Sequence, residues 1–306
     1  MEDSTLRVIE FINKHRDDFI LELIPFLQQP SFYNQKTGIM NAAQMLIDIL
    51  RSAGVDSTLH HTDGTPIIVG ELYSGEDKPT ILFYGHYDVQ TPEPLEDWTT
   101  PPFTPQIRNG RIFARGSADN KGQLFANIMA VKAWSQTNGP LPVNLKFLYE
   151  GEEEIGSPNL PAFIEENKER LQADMTYNTD GAIHPSGRHI VALGLRGLLA
   201  IEIECSGASR DLHSGHFGGP VPNPAWRLVN LLSSLTDEVN DQIKIDGFYK
   251  DVKPVIEEDR KLAKNIPLDE DELLREIGIN EFDLERGESY YEKVLFESNL
   301  NITGIN

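Results

Sequence analysis

The chain of 306 residues carries 48 acidic and 27 basic side chains, a formal charge of −21, and 39% hydrophobic residues. Such acidity argues against nucleic acid and anionic membrane as partners, since both require basic patches, and a single cysteine, Cys205, excludes a disulfide framework or a thiolate metal cluster. No apolar run approaches the roughly 18 residues of a membrane span, and the charged amphipathic start lacks the apolar core of a signal peptide, so a cytoplasmic location is expected. The length predicts about two domains. Residues 5–29 read as one or two helices, and MNAAQMLIDILRSAGV (40–55) as a helix ending at Gly54. PIIVGELYS (66–74) alternates like a strand, while TILFYGHYDV (80–89) opens as a continuous apolar run, the pattern of a strand buried on both faces. NGRIFARG (109–116) reads as a short strand or hairpin arm, KGQLFANIMAVKAWSQ (121–136) as a helix and VNLKFLYE (143–150) as a buried strand. A helix over 160–172 and a strand over 173–180 follow. Strands alternating with helices imply an α/β domain with a largely parallel sheet.

Beyond residue 195 the texture changes. RGLLAIEIECSGAS (196–209) alternates as a half-solvated strand does, and NPAWRLVNLLSSL (223–235) is an amphipathic helix with Pro224 near its start, where proline is tolerated. Residues 236–297 are acidic and weakly periodic, with short helices such as DEDELLREIG expected, and SNLNITGI reads as the start of a returning strand.

The candidate ligands fall on this map at strand ends or just before a helix. They are His86 and Asp88 in GHYD, Asp119 in RGSADNKG, Glu153 and Glu154 in YEGEEEIGS, and Asp180 in NTDG. Open α/β sheets bind ligands outside the carboxyl ends of their strands, so these elements can converge. One histidine with several carboxylates suits zinc, manganese or cobalt, and three or more carboxylates point to two ions sharing a bridge. Each element also has an ordinary reading. His-x-Asp is commonly a satisfied pair, Asp119 a helix N-cap, Asp180 a turn residue before Gly181, and the glutamate run a solvated loop. The crowding of Glu150, Glu152, Glu153 and Glu154 is costly without a cation, because like charges about 4 Å apart repel by about 4 kcal/mol at an effective dielectric near 20.

The remaining histidines carry less. His15, His60 and His61 are expected to be exposed, and His184 and His189 to lie in a loop. DLHSGHFGG (211–219) places His213 and His216 in a glycine-rich loop that is either a plain turn or a functional one. The phosphate-loop, G-x-S-x-G and H-E-x-x-H patterns are absent from the sequence.

YGHYDVQ, DWTTPPF, ARGSADNKGQ, YEGEEEIGS, NTDG and RDLHSGHFGG together resemble the M20 metallopeptidase family, specifically its carnosinase-like dipeptidase branch. They stand in family order, with 33 residues from His86 to Asp119, 35 to Glu154, 26 to Asp180 and 33 to His213. The resemblance implies two divalent metal ions, zinc first with manganese or cobalt as alternatives. It implies His86 and Asp180 at one ion, Asp119 bridging, Glu154 at the second, Asp88 orienting His86, and Glu153 as general base for hydrolysis of a dipeptide amide bond. His213 resembles the lid histidine that family dimers insert into the partner's site, where it would contact the substrate carbonyl. The implied partners are a small peptide substrate and a second copy of the chain, paired through the lid.

The resemblance further implies an α/β, zinc-exopeptidase-like catalytic domain over 1–194 with a mostly parallel central sheet, and an inserted α+β, ferredoxin-like lid and dimerisation domain over 195–306, both incomplete. The family uses one more histidine ligand near its C-terminus, whereas the last histidine here is His216. The 306 residues therefore read as the first two-thirds of a longer enzyme, a fragment expected to bind one metal better than two. An N-acyl-amino-acid deacylase and a catalytically inert binding or dimerisation fragment are the alternatives.

Overall fold

The structure, a computed structural model, describes residues 2–33, 35–181, 183–188, 190–192, 194–237, 242–284 and 287–305. Two compact units divide the chain, Met1–Ala182 and Ile183–Asn306.

The first unit opens with helices α1 (Glu2–Lys14), α2 (Arg16–Gln28) and α3 (Lys36–Ser52). Strands β1 (Asp56–His60), β2 (Ile67–Leu72) and β3 (Thr80–His86) follow, then the hairpin β4 (Gln106–Arg108) and β5 (Arg111–Phe113). Helix α4 (Lys121–Asn138), strand β6 (Asn144–Glu150), helices α5 (Leu160–Glu166) and α6 (Lys168–Leu171), and strand β7 (Met175–Asn178) complete it. The five-stranded sheet has the order β1-β2-β6-β3-β7. β3 runs parallel to both β6 and β7, while β2 is antiparallel to β1 and β6. β3 and β6 are the continuous apolar runs and take the central positions, with helices on both faces. On one face Leu46 and Leu50 of α3 and Leu124 and Ile128 of α4 bury Phe147 and Tyr149. On the other, Phe163 of α5 and Leu171 of α6 cover Val69, Leu82 and Leu148. α4 lies so close to β3 that a Cβ at Gly85 would meet the side chains of Leu124 and Asn120, which is why the strand can carry only glycine there.

This topology positions the site. Parallel β3 and β6 end at the same edge of the sheet, and their register sets His86 opposite Glu150. The loop after β3, the start of α4, the loop after β6 and the loop after β7 thereby share one rim.

Three local expectations differ. Residues 56–60 form β1, although DSTLH has no apolar run to announce it; the strand is held by its register against β2. The single helix expected over 160–172 is two, because the chain turns at Asn167, whose Nδ2 donates back to the carbonyl of Phe163. His15 and His60 are half-buried rather than exposed; His60 stacks edge-on against Phe163 and takes a hydrogen bond from Arg170.

The second unit contains α7 (Ser214–Phe217), α8 (Pro224–Ser234), the short hairpin β8 (Thr236–Asp237) and β9 (Gln242–Ile243), α9 (Glu257–Lys264), α10 (Glu270–Ile277) and α11 (Tyr290–Phe296). A capping box at Ser289 and Glu292 starts α11, and the buried Glu292 carboxylate pairs with Arg260 and Lys264. The strand expected over 196–209 does not form. Alternation supplies one dry face, but a strand also needs a partner ladder. Among the described residues none pairs with it, and Leu198 stays 95% exposed. The strand expected at 298–305 is likewise unpaired among the described residues. His184 lies in a loop, as its flanking Pro and Gly suggest, and His189 lies outside the described residues.

Candidate metal centre

His86 is the last residue of β3 and is fully buried. Its Nδ1 lies 3.1 Å from the carbonyl oxygen of Asp88 and 3.3 Å from its Oδ1. A proton on Nδ1 satisfies these acceptors and leaves the Nε2 lone pair facing outward as a ligand. Nε2 stands 3.0 Å from Asp119 Oδ1, 3.2 Å from Asp180 Oδ2 and 3.8 Å from Glu153 Oε2. The ligand atoms of His86, Asp119 and Asp180 all lie within 4.8 Å of one another. One imidazole and two carboxylates at that spacing, with the imidazole tautomer already set, fit a divalent first-row cation.

Electrostatics agree with the geometry. Burial pulls the His86 pKa down, but the hydrogen bond and charge of Asp88, joined by Asp180 and Glu153, outweigh it and raise the pKa to about 9. The carboxylates thus favour positive charge at Nε2, where a proton on the metal-free ring and a bound cation would compete. Burial raises the carboxyl pKa of Glu153, and the neighbouring Glu154, Asp180 and Asp88 raise it further against the opposing pull of His86. Glu154 is raised by burial too, then lowered in part by its hydrogen bond to Gln90 and raised again by Asp119.

Each carboxylate has a distinct place. Asp88 is buried, and its two oxygens accept the N–H groups of Glu153 and Glu154 at 3.3 and 3.1 Å. It therefore caps the 3-10 turn Glu153–Ile155 while it steadies His86. Asp119 is not the N-cap of α4; Asn120 holds that position and makes no side-chain cap bond, and the Asp119 carboxylate turns to His86 instead. Glu154 is gripped by Gln90, whose N–H reaches Oε1 at 3.1 Å and whose Nε2 reaches Oε2 at 2.9 Å. Among the described residues Glu154 falls outside the cluster of His86, Asp119 and Asp180.

Glu150 and Glu152 are buried structural acceptors. Glu150 takes hydrogen bonds from Tyr84 and Ser157 at 2.6 and 2.7 Å. Glu152 takes one from the Thr65 N–H at 3.1 Å and one from Asn159 Nδ2 at 2.7 Å. The solvated-loop reading of the glutamate run is thereby replaced by four carboxylates with four sets of partners.

His213 belongs to the second unit. It is the N-cap of α7, its Nδ1 accepts the Gly215 N–H at 3.0 Å, and its ring centroid lies 4.9 Å from that of His216.

Supporting residues were not visible as such in the sequence. Ser31, fully buried, donates to the Tyr87 carbonyl at 2.7 Å and accepts the Val89 N–H through its own carbonyl, pinning the His86–Asp88 segment from both sides. Lys121, also fully buried, donates to the carbonyls of Phe26 and Gln29 at 3.1 and 2.6 Å, tying the end of α2 to the start of α4. Gln90 is signalled only by its place in YGHYDVQ, and Ser31 by nothing local.

A mixed α/β sheet that gathers an imidazole and carboxylates outside the ends of its parallel strands defines a candidate metal-binding α/β protein. The sequence profile of Peptidase family M20/M25/M40 matches residues 82–272, and the chain belongs to that family. It is 31% identical over 317 residues to Beta-Ala-His dipeptidase of Rattus norvegicus, covering 98% of this chain and 64% of that protein. It is 32% identical over 295 residues to Cys-Gly metallodipeptidase dug1 of Schizosaccharomyces pombe, covering 91% of this chain and 62% of that one. Among solved structures, the M20 family metallo-carboxypeptidase Sso-CP2 from Sulfolobus solfataricus superposes with a TM-score of 0.83 at 37% identity, covering 94% of this chain and 67% of that one. The chain spans about three-fifths of the length of the curated relatives it matches. No helix among the described residues is long and apolar enough to cross a membrane.

Proposed function

We propose that the protein takes part in metal-dependent hydrolysis of a dipeptide amide bond. The observation that carries this reading is the convergence of His86, Asp119 and Asp180 on one point, with Glu153 beside it. In this reading His86, Asp119 and Asp180 would hold one divalent cation, and Glu154, with Asp119, would serve a second, with zinc the first choice and manganese or cobalt the alternatives. When bound, such ions supply Lewis-acid polarisation of the peptide carbonyl and acidify water.

The chain's own residues do the rest. Asp88 holds Nδ1 of His86 so that Nε2 stays a ligand, and it fixes the turn that presents Glu153. Glu153 accepts the proton of the attacking water and returns it to the leaving amine as the C–N bond breaks, so that water is added across the amide. In the metal-free chain burial and the neighbouring carboxylates raise the Glu153 pKa against the pull of His86, a direction that favours proton acceptance. His213 is assigned to the substrate carbonyl, contributed by the partner of a homodimer formed through a lid over 195–306, against a catalytic part over 1–194. Its N–H would stabilise charge developing on that oxygen. A cytoplasmic location is part of the same reading.

The names of the rodent and fungal relatives support a dipeptide substrate. A second reading, release of a C-terminal residue from a longer peptide, is favoured by the description of the Sulfolobus neighbour as a metallo-carboxypeptidase. The test is metal content together with hydrolysis of a free dipeptide and of the same dipeptide acylated at its amino end, with Glu153→Gln as control. Cleavage of the free dipeptide alone, lost in Glu153→Gln while metal uptake is kept, is the expected result. Cleavage of the acylated peptide favours the second reading. Retained turnover in Glu153→Gln removes that residue from its role, and failure to take up any divalent cation overturns the metal reading.

A further inference from the structure

Asp180 follows the short strand β7. Among the described residues β7 pairs with β3 alone, and all four of its residues are exposed. Its ladder ends at the pairing of Tyr84 with Asn178, so Thr179 and Asp180 extend beyond it. Asp119, by contrast, stands directly before α4, a helix anchored in the core by Leu124, Phe125 and Ile128. A cation shared by Asp119 and Asp180 requires the loose rim of β7 to keep a fixed distance from the start of α4. Among the described residues one side-chain bond spans the two. Asn127, in the second turn of α4, donates through Nδ2 to Thr179 Oγ1 at 2.8 Å, and both residues are half-buried. On the far side of Thr179, the Asp180 N–H donates to Asn178 Oδ1 at 2.8 Å, which closes a tight turn under the Asp180 carboxylate.

We propose that Asn127 and Thr179 form a positioning pair that fixes Asp180 relative to Asp119 and so sets the cation affinity of the His86–Asp119–Asp180 cluster. The inference rests on the metal reading of that cluster. Because Asp119 lies two residues before α4 and Asn127 stands in its second turn, one helix bears on the placement of both ligands. Ligand-orienting partners of this kind are worth about tenfold to about a hundredfold in metal affinity.

The test is titration of the metal-free protein with Co2+, followed by its visible absorption. Thr179→Val removes the acceptor at nearly constant volume, Thr179→Ser keeps it, and Asn127→Leu removes the donor from the helix. Thr179→Val and Asn127→Leu are expected to weaken Co2+ binding by about tenfold or more, the double variant no further than either alone, and Thr179→Ser is expected to bind within about twofold of wild type. Urea unfolding of the metal-free variants separates this from a general loss of structure. Equal affinity in wild type, Thr179→Val and Asn127→Leu overturns the pair's role while leaving the metal reading intact. Additive losses in the double variant also overturn it, since the two residues would then act separately. Failure of wild type itself to bind Co2+ overturns the metal reading and the inference with it.

Discussion

Oδ1 of Asp88 lies 3.3 Å from Nδ1 of His86, and the same carboxylate accepts the N–H groups of Glu153 and Glu154 in the turn after β6. One buried side chain thus connects the ligand of β3 to the turn after β6. Asp88→Ala removes an orienting contact and two caps at once. We expect Co2+ affinity to fall by about tenfold to about a hundredfold and the metal-free protein to lose about 3 kcal/mol, as when a buried charge loses its partner. Asp88→Asn keeps one acceptor oxygen and should fall between. Calorimetric titration and urea unfolding check both parts; an unchanged affinity in Asp88→Ala would separate His86 orientation from Asp88.

A cation that binds only the folded chain must also stabilise it. At a free concentration about a hundred times the dissociation constant, the gain is about 2.7 kcal/mol. Zinc should therefore raise the unfolding temperature of wild type, EDTA should reverse the rise, and His86→Ala should show none. An equal zinc-induced rise in His86→Ala would place the stabilising ion elsewhere.

The four carboxylates of YEGEEEIGS divide into two kinds by what they touch. Glu152→Ala strands the Thr65 N–H and the Asn159 amide, a loss of about 1–3 kcal/mol in stability, with Co2+ affinity unchanged. Among the described residues Glu154→Ala strands Gln90 alone, at an exposed rim, so it should leave urea unfolding nearly unchanged while reducing the uptake of cations beyond the first. The reverse pattern in the two variants would refute the division.

How much of this was legible in the sequence depended on range. His86, Asp119 and Asp180 were readable because an apolar run marks β3, the helical period marks α4, and a strand was expected over 173–180, so the rim residues could be counted off from the element ends. Glu150 and Glu152 were not separable from Glu153 and Glu154, because burial of a carboxylate depends on donors far along the chain, such as Tyr84 and Thr65. Ser31 and Asn127 were invisible for the same reason: their partners, at Tyr87 and Thr179, lie more than fifty residues away. The strand expected over 196–209 failed on the other side of that limit. Its alternation is local and real, but pairing is a property of two segments, and none of the described residues supplies the second.

His60 provides a pH test away from the metal ligands. Its Nε2 lies 3.1 Å from a guanidinium nitrogen of Arg170, which can only donate, and its ring packs on Phe163. Burial first, and then the Arg170 charge, lower its pKa below the ordinary value of 6.5. As pH falls through 6.5 the unfolded chain takes up a proton that the folded chain resists, so the unfolded state binds more protons and folding stability declines with falling pH. Above 6.5 the ring is neutral in both states and contributes no pH dependence. In His60→Gln the amide oxygen can still accept from Arg170 but does not titrate. Urea midpoints measured from pH 7.5 to pH 5 should thus fall more steeply in wild type than in His60→Gln, with the curves diverging only below about 6.5. Parallel curves over that range would show that the imidazole is protonated as readily in the folded chain as in the unfolded one.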